Sequence, residues 1–148
     1  DIHPLVVSWG WESENPGPSV FLDWHEWQGT RDMSAFLTVP AAVKFLEEHN
    51  WQEVARKCRE QVVHTRDWFL DLLNISHPCP DSWLGQMASI PLPIEDADAF
   101  KKKLLETYRI QVPVFNWEGN IYLRYSIQAY NATSDLEKLL SAVKELIS

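Results

Sequence analysis

The sequence predicts an α/β fold of the α+β type: a small, largely antiparallel sheet with helices on one face. Three observations carry this reading. From Trp51 to Leu73 the apolar residues step by three and four, the repeat of a long amphipathic helix. Residues 112–117 and 121–127 alternate around Glu118-Gly119-Asn120, a hairpin signature. After residue 50 the elements read helix, strand, helix, strand, strand, helix, an order that packs helices against a small sheet.

Taken in order, Leu5-Val6-Val7 follows a proline and reads as the end of a strand. Residues 10–31 read as a loop, with Gly10, Pro16, Gly17, Pro18 and Gly29. Trp11, Trp24 and Trp27 lie in it and Trp9 just before it, an aromatic content that argues for a functional segment and against disorder. Met33 to Asn50 is helical in pattern, with Asp32 as N-cap and Pro40 as a kink or break. The next helix carries Val54, Cys58, Val62, Thr65 and Phe69 on its apolar stripe, and its length from 51 to 74 corresponds to roughly 36 Å. Glu53, Arg56, Lys57, Glu60 and Asp67 form its charged face, and Cys58 reads as a core thiol. Pro78 and Pro80 end it. Residues 86–92 read as a strand that Pro91 places at a sheet edge or strand end. Residues 96–108 form a helix with Ala97, Phe100, Leu104 and Tyr108 on one side. Ser134 and Glu137 give a capping box for a last helix whose core face runs from Leu136 to Ile147. Residues 51–148 therefore read as one small α+β domain, and residues 1–50 as a strand and connecting segment left from another domain.

Composition narrows the function classes. The chain has 148 residues, of which 45% are hydrophobic and 23% charged, the balance of a globular domain. No apolar run approaches the about 20 residues needed to span a bilayer. The formal net charge is −8, and the dense basic run Lys101-Lys102-Lys103 lies beside Glu95, Asp96 and Asp98. A nucleic-acid groove needs a basic stripe, so neither nucleic acid nor membrane is an expected partner. Two cysteines are too few for a disulfide framework or a zinc site, and the five histidines lack metal-ligand spacing, so no metal is expected. The start, Asp1-Ile2-His3-Pro4, is neither an initiator methionine nor a signal peptide, and reads as a cut inside a longer, cytoplasmic protein.

Two places could hold an anion. Arg124 sits mid-strand, with Tyr122 and Ser126 on its face and Ile121, Leu123, Tyr125 and Ile127 on the other. It is either a solvent-facing arginine or a guanidinium held for bidentate capture of a carboxylate. Gly29-Thr30-Arg31-Asp32 precedes a helix and is either a turn with its cap or an anion site built of N–H groups, a hydroxyl and an arginine. The pattern alone favours the plainer reading at both. His25, between Trp24 and Glu26, is a polar loop residue with the option of touching a ligand.

Asp23 to Ala42, DWHEWQGTRDMSAFLTVPAA, resembles the segment after the cofactor lysine in class V aminotransferase-like enzymes, which use pyridoxal 5′-phosphate. The likeness is greatest to the isopenicillin N epimerase-like branch, with its cysteine desulfurase, desulfhydrase and lyase relatives. Tyr122-Leu123-Arg124-Tyr125-Ser126-Ile127, then Tyr130-Asn131 and a capped helix, resembles that family's C-terminal strand and helix. The resemblance implies the C-terminal small domain of a fold-type I enzyme, working as a homodimer on an amino acid. It implies that Thr30 contacts the cofactor phosphate of the other subunit, with Gly29 allowing the close approach. It further implies that Arg124 binds the substrate carboxylate, with Arg31 a second candidate for a substrate or phosphate contact. None of Lys44, Lys57, Lys101 to Lys103, Lys138 and Lys144 matches the family's cofactor-lysine context. The chain therefore carries no expected catalytic residue. The competing expectation is a free-standing α+β binding module that uses its Trp-rich loop.

Overall fold

The computed structural model describes residues 2–26 and 29–147; Asp1, Trp27, Gln28 and Ser148 lie outside the described residues. Its backbone contacts divide the chain into two compact units, Asp1–Glu47 and Glu48–Ser148.

The second unit is built on a three-stranded antiparallel sheet. Its strands are β1 (Met87–Leu92), β2 (Val114–Trp117) and β3 (Asn120–Ser126), in the order β1-β3-β2. β2 and β3 form the expected hairpin, with Trp117 opposite Asn120. That register leaves Glu118 and Gly119 as a two-residue loop, and both have positive φ, +48° and +79°. This is the type I′ geometry that suits the twist of the strands and that glycine enters without strain. β1 is an edge strand, where Pro91 needs no N–H for an outer neighbour.

Alternation sorts the two faces of the sheet. Ala88, Ile90 and Leu92 of β1 and Ile121, Leu123 and Tyr125 of β3 are buried, while Ser89, Arg124 and Ser126 are exposed. The buried face is covered by α4 (Trp51–Leu73), α5 (Ala97–Tyr108) and α6 (Thr133–Ile147), as the sequence predicts. Cys58, Val62 and Phe69 of α4, Phe100 and Leu104 of α5, and Leu136, Leu139 and Val143 of α6 close one core with the strands. Cys58 is a core thiol. The buried Tyr125 hydroxyl donates to the Val62 carbonyl at 2.8 Å, tying the middle strand to the middle of α4. Burial raises its ionisation far above the ordinary phenol range, which keeps it a donor.

Several local expectations are corrected. The capping box is displaced. α6 already starts at Thr133, so Ser134 lies inside the helix, and the Asp135 carboxylate accepts the Ala132 N–H at 2.9 Å. The interruption expected at Pro40 in the 33–50 helix falls two residues earlier, at Thr38, between α2 (Ser34–Leu37) and α3 (Val39–Glu48). Pro40 then sits in the first turn of α3, where its missing N–H would have no partner in any case. Leu5-Val6-Val7 is not a strand: residues 5–7 pair with no other described strand, and Leu5 and Val6 are exposed. The stretch 10–31 is not all loop, because α1 (Val20–Glu26) starts after Pro18, with the Ser19 hydroxyl accepting the Leu22 N–H at 3.2 Å. Trp27, one of the three tryptophans of that stretch, falls outside the described residues, while Trp11 stacks on Trp24 at 5.4 Å.

Two arginines tie the segment after α4 back onto that helix. Arg59 donates to the Leu84 and Asp81 carbonyls at 3.0 and 2.7 Å. Arg66, 1% exposed, donates to the Asp67 carboxylate at 2.7 Å and to that of Asp81 at 2.6 Å. His77 reaches the same Asp67 oxygen at 3.2 Å. Burial pushes the Asp67 carboxyl up, but hydrogen bonds from Arg66 and His77 outweigh it and hold the group below its ordinary value of 3.8. A depressed folded-state pKa gives stability that is present above the ordinary carboxylate range and lost as pH falls through it and below. Urea midpoints at about pH 5 and about pH 3 check this. Wild type is expected to lose more between them than Asp67→Asn, and equal losses would remove the Asp67 link.

Candidate functional site

The sheet topology isolates Arg124. β2 begins at Val114, opposite Leu123, so Arg124 is the first residue of β3 beyond the hairpin ladder. Its backbone N–H still bonds the Pro113 carbonyl at 2.9 Å, and on the other side it pairs with Ser89 of β1. The strand is thus held on both sides while the side chain is left exposed. Arg124 lines a cleft of about 430 Å³ between residues 109–113, the end of β3 at Ser126, and Asp135, Lys138 and Leu139 of α6. Among the described residues no carboxylate pairs with the Arg124 guanidinium. A rigid strand, a cleft and an unneutralised guanidinium suit capture of a small carboxylate.

Gly29, Thr30 and Arg31 belong to the first unit and line a separate hollow of about 760 Å³ with Glu26, Met33 and Phe36. Gly29 has φ +87°, a left-handed value that lets the chain turn there. The Arg31 guanidinium lies 5.2 Å from the centre of the Phe36 ring, a cation–π contact that fixes its direction. The helix that follows is the four-residue α2, and its Ser34 N–H is already taken by the Asp32 carboxylate at 2.8 Å. That bond holds the Asp32 carboxyl below its ordinary value. The Ser34 N–H is therefore not on offer to an anion at this helix start. What this hollow offers an anion is the Gly29–Thr30 turn, the hydroxyl and Arg31.

His25 lies on α1: its Nδ1 meets the Phe21 carbonyl at 2.7 Å, its ring stacks on Phe21 at 4.1 Å, and its Nε2 is buried with no hydrogen-bond partner among the described residues. Sequence reasoning missed Arg109 and Lys138, which share the Arg124 cleft. Arg109 follows the helical stripe of α5 directly, and Lys138 lies on the polar side of α6, so neither interrupts an apolar pattern. No helix among the described residues is long and apolar enough to cross a membrane.

No family model matches the chain. Isopenicillin N epimerase from Amycolatopsis lactamdurans is 32% identical over 98% of this chain, which covers 39% of that protein. A probable chloroplastic L-cysteine desulfhydrase from Arabidopsis thaliana is 28% identical over 99% of the chain and 33% of its own length. Isopenicillin N epimerase from Streptomyces clavuligerus is 28% identical over 99% of the chain and 40% of its own length. The solved 8-amino-7-oxononanoate synthase of Francisella tularensis, at a TM-score of 0.49 and 21% identity over 69% of the chain, is too distant a likeness to bear on fold or function. The chain thus spans between a third and two fifths of these sequence relatives. Along essentially its own full length, it is a homologue of isopenicillin N epimerases and L-cysteine desulfhydrases.

Proposed function

We propose that this chain is the C-terminal part of a pyridoxal 5′-phosphate enzyme acting on an amino acid, with Arg124 as the residue that binds the substrate carboxylate. The observation that carries the reading is Arg124 itself, fixed by backbone bonds on a strand, exposed at a cleft and without a carboxylate partner among the described residues.

The residues present fit one part of the cofactor and not another. Gly29 and Thr30 offer a turn and a hydroxyl of the kind that holds a phosphate, and we assign them that contact across a dimer interface. No lysine fits the cofactor aldehyde, which needs an amine in a desolvated pocket; Lys44, Lys57, Lys101 to Lys103, Lys138 and Lys144 are all exposed. When bound, the cofactor supplies an electron sink beside the substrate Cα. Arg124 then acts by position. Two parallel N–H bonds to a carboxylate fix the amino acid in rotation as well as in place, and so decide which bond at Cα faces that sink. Arg31 is a second candidate for the same anion. The setting we propose is a cytoplasmic homodimer. The exposed Leu5, Val6, Phe36, Leu37 and Val39 of the first unit support a surface that is covered in the assembly.

The test is to incubate the 148-residue chain with pyridoxal phosphate, reduce with borohydride and map the modified lysines. Sparse labelling spread over several lysines is the expected result. One lysine labelled stoichiometrically would mean that the chain holds the cofactor by itself, contrary to the proposal.

A further inference from the structure

The cleft at Arg124 holds more positive charge than one carboxylate needs. Arg109 and Lys138 line it as well. Among the described residues, none of these three side chains is paired with an acid. Asp135 is the only acid in the lining, and its carboxylate accepts the Ala132 N–H. In a chain of formal net charge −8, three cations to one acid around about 430 Å³ is a local reversal of sign. Like charges held together repel, and an anion between them relieves that repulsion.

The backbone of Arg109 is a second, independent observation. Arg109 ends α5 with φ +59°, in the left-handed conformation that strains any residue with a β-carbon. Glycine is the common solution at such a boundary, and asparagine the next. Among the described residues, the other left-handed helix boundaries follow that rule, with Asn50 and Asn74. A cation suits the negative end of a helix, but asparagine or glycine would end α5 with less backbone strain, and the Arg109 side chain lines the cleft.

We propose that Arg109 and Lys138 form a second anion subsite beside Arg124, so that the amino acid bound here carries a second carboxylate on its side chain. The inference rests on the assignment of Arg124 to the α-carboxylate. The test uses the purified chain at low ionic strength and compares propionate, glutarate and inorganic phosphate by calorimetry or NMR titration. Glutarate is expected to bind about tenfold more tightly than propionate, the worth of one more charged hydrogen-bonded contact. Arg109→Gly and Lys138→Gln are each expected to remove most of that ratio while propionate binding stays. Arg109→Gly is expected to leave the melting temperature unchanged or higher, since glycine relieves the left-handed strain, so a loss of glutarate binding in it is not a loss of fold. Equal affinities for glutarate and propionate, a preference that survives both substitutions, or phosphate binding more tightly than glutarate would each overturn the dicarboxylate subsite. Propionate binding unchanged in Arg124→Gln is a different failure: it removes the Arg124 assignment on which the subsite rests.

Discussion

Phe69→Ala is expected to lower the unfolding free energy by about 4 kcal/mol, within the 3–5 kcal/mol of a fully buried phenylalanine truncation. Phe69 is 0% exposed and its ring centre lies 6.0 Å from that of Tyr125. It fills the space between α4 and the middle strand, and its loss removes both the apolar transfer term and the contacts of the cavity walls. The second unit is of about the size for which each kcal/mol shifts the melting temperature by 4–8 °C, so a fall of roughly 20 °C follows. A shift of under about 5 °C in differential scanning calorimetry would mean that the α4–sheet contact is not the centre of the fold.

Arg66→Ala is expected to cost about 2–4 kcal/mol, and Arg66→Met less than half of that. The reason lies in the asymmetry of the cluster. The Arg66 side chain is 1% exposed, while those of its partners Asp67 and Asp81 are 43% and 59% exposed. Water screens the carboxylates, so the ion pairs contribute modestly. One Arg66 nitrogen, Nη1, is buried with no hydrogen-bond partner among the described residues, which subtracts further from the charged head. The stem is what alanine loses: about 0.8 kcal/mol for each buried methylene, plus the space it leaves. Methionine keeps most of that stem. Urea unfolding of both variants decides the matter, and a methionine variant as unstable as the alanine one would put the stabilisation in the charge pair after all.

The fold was legible where periodicity and turn chemistry agree. The stripe from Trp51 to Leu73, the hairpin at Glu118-Gly119 and the edge position of Pro91 follow from local rules that the packing did not override. Local rules failed where the partner decides. Leu5-Val6-Val7 has strand composition, yet a strand exists only with a neighbour to bond, and none is present among the described residues. Ser134 and Glu137 match the spacing of a capping box, but the chain enters α6 one turn's fraction earlier and Asp135 does the work. Arg59 and Arg66 lie seven residues apart on the flank of the apolar stripe, a heptad spacing that marks one helix face. That spacing placed the two on a common face, and only the fold brings the segment carrying Asp81 and Leu84 against it. Of the candidate site, while the pattern alone favoured a plain solvent-facing arginine, the exposed face of Arg124 was legible from the alternation of β3. Arg109 and Lys138 were not, because only the fold brings the end of α5 and the second turn of α6 to the same cleft.

The central claim, that Arg124 binds an amino-acid carboxylate, is tested most directly by titrating the isotope-labelled chain with L-alanine and with L-alaninamide while following the arginine side-chain N–H resonances. The two probes differ in the carboxylate alone. L-Alanine is expected to give saturable shifts centred on the Arg124 guanidinium and the neighbouring Ser126, and the amide none there. Arg124→Ala is expected to weaken the binding by roughly 1.5–3 kcal/mol, the worth of a charged hydrogen-bonded contact. Shifts of the same size with the amide, or shifts centred on Gly29 to Arg31 with Arg124 unmoved, would contradict it.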